Sequence, residues 1–359
     1  MRKQTKLVAV LSTAALLAIG ASMTSFAATG WAEEDGTWVY YDRNGDKVTD
    51  KWAKSGNNWY YLDSDGEMAI DQLIEDGDNY YYVDINGVMA SNQWVAIENE
   101  DAGDDNEPEH YWYYFQANGK AYKSSGSASF KTINGKKYAF DSYGVMKSGL
   151  KAIKFVGSST TEIDEIKGDD GIANMHFDTE DNFKDNVSAL YGADYKLYYF
   201  GSGDDGAMKT GKQTVTIDGE DYSFLFNKSG SSKGAGKLGI DDDKYYLGGM
   251  LLKASKDDKY SVIKITKDAS GTITALECLS TEEFLDDVNA TSSIPTGKAD
   301  DYDEYYDVKA DAADTATTQY RLVNTSGSIQ KNKNKAKDGD DRCFKVGSNK
   351  EIEAVFVES

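Results

Sequence analysis

The chain has 359 residues, with 61 Asp and Glu against 39 Lys and Arg, a formal net charge of −22. That balance argues against nucleic-acid recognition, which needs clustered Lys and Arg. It suits an extracellular protein whose field attracts cationic ligands, although most of the carboxylates read as solvated surface.

The first 28 residues read as a secretory signal. "MRKQTK" is basic, "LVAVLSTAALLAIGA" is apolar but short for a membrane span, and "SMTSFAA" places Ser25 and Ala27 at −3 and −1 of a cleavage site. The rival reading is an uncleaved anchor, but no stop-transfer pattern follows. The mature chain then starts at Ala28 or Thr29. No second apolar run of about 20 residues appears, so no membrane span is expected after signal removal. No LPxTG-like segment stands at the C-terminus. A secreted protein without a covalent anchor either diffuses away or holds a surface by binding it.

Residues 29–150 carry five repeats. Gly45, Gly66 and Gly87 are 21 residues apart, and Gly119 and Gly144 follow after an acidic insert, "ENEDAGDDNEPEH" at 98–110. "WVYYDRNG", "WYYLDSDG", "YYYVDING", "WYYFQANG" and "KYAFDSYG" each place an aromatic, strand-prone run before a turn. The Asn-Gly and Asp-Gly pairs point to type I′ turns followed by a shorter return strand, one hairpin per repeat. A lone hairpin is marginal in water. Stacked hairpins bury one another's aromatics as a solenoid.

Side chains alternate across a strand. One face holds Trp38, Trp59, Tyr80, Trp112 and Lys137, with Tyr40, Tyr61, Tyr82, Tyr114 and Ala139 beside them. A third column, 14 residues before the glycines, adds Trp31, Trp52, Leu73 and Phe130, and Trp94 fills it in the fourth repeat. The opposite face, Val39/Tyr41, Tyr60/Leu62, Tyr81/Val83, Tyr113/Phe115 and Tyr138/Phe140, stays apolar throughout and reads as core. All six tryptophans fall on the first face. That face reads as a row of surface sites, or alternatively as packing between hairpins.

"GWAEEDGTWVYYDRNG" and "GNNWYYLDSDGEMA" resemble the cell-wall-binding repeat of Gram-positive surface proteins, the group that includes choline-binding modules and glucan-binding repeats. "GVMKSGL" and "GAMKTGK" keep the tail of the pattern but put Leu150 and Lys212 where its final Trp stands. The resemblance covers about a third of the chain. It implies an all-β solenoid of stacked hairpins in a left-handed superhelix, with no cofactor and no metal. It also implies that a quaternary ammonium is caged by the "GW" Trp, the first aromatic of "WYY" and its last Tyr, through cation–π attraction. Carried over by position, the ligand residues are Trp31, Trp38, Tyr40, Trp52, Trp59, Tyr61, Tyr80, Tyr82, Trp94, Trp112 and Tyr114. Leu73 weakens one cage and Lys137 opposes a cation in the fifth. Aromatic rows also stack on sugar rings. The partner is therefore a cell-wall polymer, either choline-substituted teichoic acid or a polysaccharide.

From 151 the register blurs. "LYYFGSGDDGAMKTG" at 197–211 is a clear late repeat. Degenerate repeats are expected across 151–259, and a C-terminal β-rich region with one more, "QYRLVNTSGSIQK", across 260–359. Two short helices are expected, at "DNFKDNVSALY" from the spacing of Phe183, Val187 and Leu190, and at "STEEFLDDV" from the capping-box spacing of Ser280 and Glu283. The polar segment 296–318 reads as a linker or long loop. Cys278 and Cys343 can pair as a disulfide in an oxidising compartment or stay apart as thiols.

No catalytic signature emerges. Asp42–Gly45 and Asp63–Gly66 start like calcium loops but lack the later Glu and the flanking helices, so they read as turns. The acidic loop at 101–109 reads as solvated. His110 and His176 are isolated, and no nucleophile elbow or phosphate loop is present. The expectation is a non-catalytic wall-binding protein. The rivals are a structural spacer or adhesin presenting residues 151–359 to a protein partner, and a wall hydrolase with an unrecognised C-terminal domain.

Overall fold

The computed structural model describes residues 29–99, 102, 108–124, 128–159, 162–167, 177, 179–192 and 194–359. The signal segment, most of the acidic insert and His176 lie outside the described residues. The described residues are all-β apart from two short helices, and the chain falls into two compact units, 1–149 with 201–207, and 150–200 with 208–359.

The first unit is a stack of five two-stranded antiparallel hairpins. Hairpin 1 pairs Gly30–Glu34 with Thr37–Tyr41, hairpin 2 Lys51–Ser55 with Asn58–Leu62, and hairpin 3 Gln72–Asp76 with Asn79–Val83. Hairpin 4 pairs Gln93–Glu98 with His110–Phe115, and hairpin 5 Lys131–Ile133 with Lys136–Tyr138. The acidic insert is the loop of hairpin 4, whose last pair is Glu98 with His110.

The hairpin turns lie upstream of the place expected from sequence. The aromatic strand is the second strand of each hairpin, and its partner is the "GW" segment before it. In hairpins 1, 2, 3 and 5 the connections are two-residue turns. Asp35-Gly36 and Asn134-Gly135 both have positive φ at each residue, as type I′ requires, and Gly56 and Gly77 open turns of the type II′ pattern. The Asp-x-x-Gly stretch does something else. Asp63 Oδ1 accepts the N–H of Asp65 at 3.0 Å and of Glu67 at 2.9 Å, and Asp42, Asp84 and Asp141 do the same two and four residues on. Those amide donors hold the Asp42 carboxyl below the usual carboxylate range. The carboxylate therefore builds a tight turn.

This turn returns the chain against the preceding hairpin. Met68 N–H donates to Trp38 O at 2.7 Å, Met89 to Trp59 O at 2.8 Å, Ala121 to Tyr80 O at 2.8 Å and Met146 to Trp112 O at 2.8 Å. The repeating glycine is needed there on two counts. Gly87 has φ +74, and a Cβ on it would stand 2.9 Å from Met68 Sδ. The apolar face forms the core as expected, with Val39, Tyr60, Leu62, Val83, Tyr113, Phe115, Tyr138 and Phe140 all buried.

In the second unit the degenerate repeats reuse the same turn. Asn324 Oδ1 accepts from Ser326 and Ser328, and Gln330 N–H donates to Leu322 O, as Ala69 does to Tyr61 O. Both expected helices form, Glu180–Gly192 and Thr281–Asp287. The second has a full capping box, with Ser280 and Glu283 each bonded to the other's backbone. Phe183 and Val187 pack against Leu197, Phe224 and Leu247, and Phe284 packs into a second core with Leu322 and Phe344.

One expectation is corrected and one open alternative is decided. Residues 296–318 are not all loop, because Tyr302–Asp307 is a strand paired with Ile352–Glu358, held by Tyr302 and Tyr305 against Phe356. Cys278 and Cys343 are free thiols, not a disulfide. They lie in different sheets, Cys278 opposite Ile263 and Cys343 opposite Phe356, and burial pushes both thiols up.

Candidate functional site

The strand registers put the expected columns on one face. Trp31 is directly opposite Tyr40, Trp52 opposite Tyr61, Leu73 opposite Tyr82 and Trp94 opposite Tyr114. In hairpins 1, 2 and 4 the Trp meets that Tyr edge-on, with centroids 5.1–5.2 Å apart. The last tyrosine thus braces its own tryptophan from within the hairpin.

The third aromatic comes from the next repeat, and it is the middle tyrosine. Trp31 meets Tyr60 at 5.2 Å, Trp52 meets Tyr81 at 5.0 Å and Trp94 meets Tyr138 at 4.9 Å. The backbone bond between repeats carries a methionine to the same step, Met68, Met89 and Met146 in turn. Each step therefore combines two tryptophans of one repeat with a tyrosine and a methionine of the next. The sets are Trp31/Trp38/Tyr60/Met68, Trp52/Trp59/Tyr81/Met89 and Trp94/Trp112/Tyr138/Met146. The step between repeats 3 and 4 has Leu73, Tyr80, Tyr113 and Ala121 instead.

At the step between repeats 2 and 3 the set opens into a cleft of about 810 Å³. Trp52, Trp59, Tyr81 and Met89 all line it, and Trp59 is 40% exposed. Tyr61 does not line it. Tyr40, Tyr61 and Tyr114 act as braces, while Tyr82 departs further from the expected role. It is buried, its hydroxyl donates to Asp71, and burial together with that carboxylate holds the phenol far above its ordinary range. Tyr80 lies under the ammonium of Lys123, 5.5 Å from the ring centroid. In repeat 5, Lys137 lies over Phe130.

Carboxylates flank the aromatic sets. Trp52 Nε1 donates to Asp76 at 3.1 Å, and Trp112 Nε1 donates to Asp204 at 2.7 Å. Burial, and then Asp76, raises the Tyr81 phenol, while burial and Asp205 raise that of Tyr138. Trp31 Nε1 is buried with no hydrogen-bond partner among the described residues, because Ser55 stands where the next repeat has Asp76. Electron-rich ring faces beside fixed negative charge form a receptor for an organic cation.

Tyr60, Tyr81, Tyr138 and the three methionines were not among the expected site residues. The signal was present in the "M" of "GEMA", "GVMA" and "GVMK", always two residues after the repeating glycine. Strand alternation alone assigned the middle tyrosine to the core, and only the stacking shows that the hairpin's back face meets its neighbour's front.

Stacked hairpins with aromatic sets at their junctions define a wall-binding type of repeat module. The choline-binding repeat family matches residues 28–72 and 48–94, and the chain carries repeats of this choline-binding, cell-wall-binding type. Among solved structures, choline binding protein F from Streptococcus pneumoniae is 22% identical over 63% of this chain and 58% of its own, with a TM-score of 0.37. CbpJ from the same species is 22% identical over 58% of this chain and 48% of its own, with a TM-score of 0.31. The choline-binding domain of S. pneumoniae CbpL is 21% identical over 64% of this chain and 99% of its own, with a TM-score of 0.22. The chain thus spans between about half and three fifths of the length of the first two. With overlap so partial, the fold rests on the hairpin geometry itself. No curated protein matches the chain.

Proposed function

We propose that this is a secreted, non-catalytic protein held on the bacterial surface by its first unit, whose aromatic sets bind quaternary ammonium groups of choline-bearing wall polymer. The observation that carries this reading is the recurrence of a Trp/Trp/Tyr/Met set at three of the four steps, with carboxylates close to two of them. Each good cation–π contact is worth about 0.5–2 kcal/mol. One site is weak, but several sites on one repetitive polymer act together through effective concentration. The half-exposed Trp59 favours a ligand site over a spacer, in which the tryptophans would only pack.

Choline titrated into the mature protein should change tryptophan fluorescence saturably, and a neutral isostere of choline should not. Trp38→Ala, Trp59→Ala and Trp112→Ala together should release the protein from choline-bearing walls while far-UV circular dichroism stays the same. Unchanged retention would sink the proposal. Wall clearing in a zymogram would overturn the non-catalytic part alone.

A further inference from the structure

The cleft between repeats 2 and 3 is larger than its cage. At about 810 Å³ it lies in the range of pockets that hold whole drug-sized molecules, far beyond one trimethylammonium group. Its remaining wall is a trough of uncharged polar side chains. Asn57 and Asn58 come from the turn of hairpin 2, Ser91 and Gln93 from the entry to hairpin 4, and Asn118 from the turn after it. The side chains of Asn57, Ser91 and Gln93 are exposed and make no hydrogen bond to any described residue.

No Lys or Arg lines the cleft. Its charged lining residue is Asp84, whose Oδ1 already holds the N–H groups of Asn86 and Val88. Lys54 is not among the lining residues, but its ammonium lies over the Trp59 ring, 5.6 Å from the centroid. Amide side chains each offer donors and an acceptor together, which is what vicinal hydroxyls require. The exposed Trp59 offers an apolar face for the C–H side of a sugar ring.

One repeat earlier the same positions are occupied differently. Gly36 and Thr37 stand in place of the Asn pair, Ile70 in place of Ser91 and Ile85 in place of Ala117, while Gln72 and Asn86 keep the places of Gln93 and Asn118. Ile70 is 52% and Ile85 65% exposed. The two steps thus share the cage and part of the rim, and differ at the Asn pair, Ser91 and Ala117.

We infer that the trough at the step between repeats 2 and 3 binds a neutral, hydroxyl-rich saccharide unit of the polymer that carries the ammonium group. That step offers the carrier a more polar rim than the step between repeats 1 and 2, where Ile70 and Ile85 stand exposed. The inference rests on the cation reading for the cage and on separate residues for the trough.

The test uses the mature full-length chain, with choline, the tetramer of N-acetylglucosamine and maltotetraose as separate probes, followed by tryptophan fluorescence and calorimetry. At least one tetrasaccharide should bind. Asn57→Ala with Gln93→Ala should weaken that binding about tenfold, the value of two neutral hydrogen bonds, with choline affinity unaltered. If neither saccharide binds, or if the double variant binds it as well as the parent, the trough is overturned while choline binding keeps the cage. If a saccharide binds in an Asn57- and Gln93-dependent manner and choline does not bind, the trough stands and the cage reading falls. Both substitutions are at exposed positions, and near-UV circular dichroism verifies that the stack is intact.

Discussion

Two neighbouring steps of the hairpin stack are built on the same backbone and end differently. Between repeats 2 and 3, Met89 N–H bonds Trp59 O, and the step opens into a cleft walled by Trp52, Trp59 and Tyr81. Between repeats 3 and 4, Ala121 N–H bonds Tyr80 O at the same distance, 2.8 Å. Here Leu73 replaces the tryptophan and Ala121 the methionine, while a lysine ammonium sits over the front aromatic at both steps, Lys123 over Tyr80 and Lys54 over Trp59. Tyr82, Tyr113 and Phe115 form a continuous core at this step. Stacking and ligand recognition are therefore separable. Backbone bonds, the glycine and the back-face apolar residues make the step, and the front-face side chains differ between the step that opens into a cleft and its neighbour.

The largest effect should come from breaking an intact step. Trp94 touches Tyr114, Tyr138 and Phe140, so Trp94→Ala should cost the first unit about 3–5 kcal/mol, seen as a lower denaturant midpoint. An unaltered midpoint would mean that the aromatic contacts do not hold the stack. Next is the glycine. Gly87→Ala combines a left-handed backbone with a contact against Met68 and should cost about 1–3 kcal/mol in the same measurement.

The comparison is sharpened by converting one step into the other. Leu73→Trp, Ala121→Met and Lys123→Ser together should add one choline site per chain in calorimetric stoichiometry. If the stoichiometry does not rise, the front-face residues are not sufficient. A smaller gain is expected at the first step. Ser55→Asp should give the orphaned Trp31 Nε1 the partner that Asp76 gives Trp52, stabilising by about 1 kcal/mol.

The last prediction concerns alkali. Burial and Asp71 raise the Tyr82 phenol, so its stabilising contribution is complete below the ordinary tyrosine value of 10.0 and is lost as pH climbs through the raised one. Burial likewise raises Tyr198, Tyr222 and Tyr320. A class of tyrosines should therefore form phenolate only as the protein unfolds, visible as coincidence of phenolate absorbance with loss of structure. Smooth titration of all tyrosines near pH 10 would show Tyr82 to be accessible.

Much of the stack was legible because its signals are local and periodic. The glycine spacing counted the repeats, and period-two alternation assigned Val39, Leu62, Val83 and Phe115 to the core. Ser280 and Glu283 marked a helix start by the chemistry of its own first turn. The strand at Tyr302–Asp307 escaped because its support is a partner some 50 residues away, in an acidic context that by itself reads as loop. The hairpin turn was misplaced because each repeat contains two turn signals, and choosing between them requires knowing which strand pairs with which.

The sequence by itself determined the repeat, its aromatic columns and the side chains able to attract a cation, because side-chain chemistry and strand alternation are properties of consecutive residues. The tertiary structure decided which aromatics meet. It turned Tyr61 into a brace, buried Tyr82, and brought Tyr81 and Met89 to Trp52 and Trp59. A site at a junction belongs to two hairpins at once, and the angle at which one packs on the next is set by the Asp-x-x-Gly turn and its inter-repeat hydrogen bond, not by either strand alone.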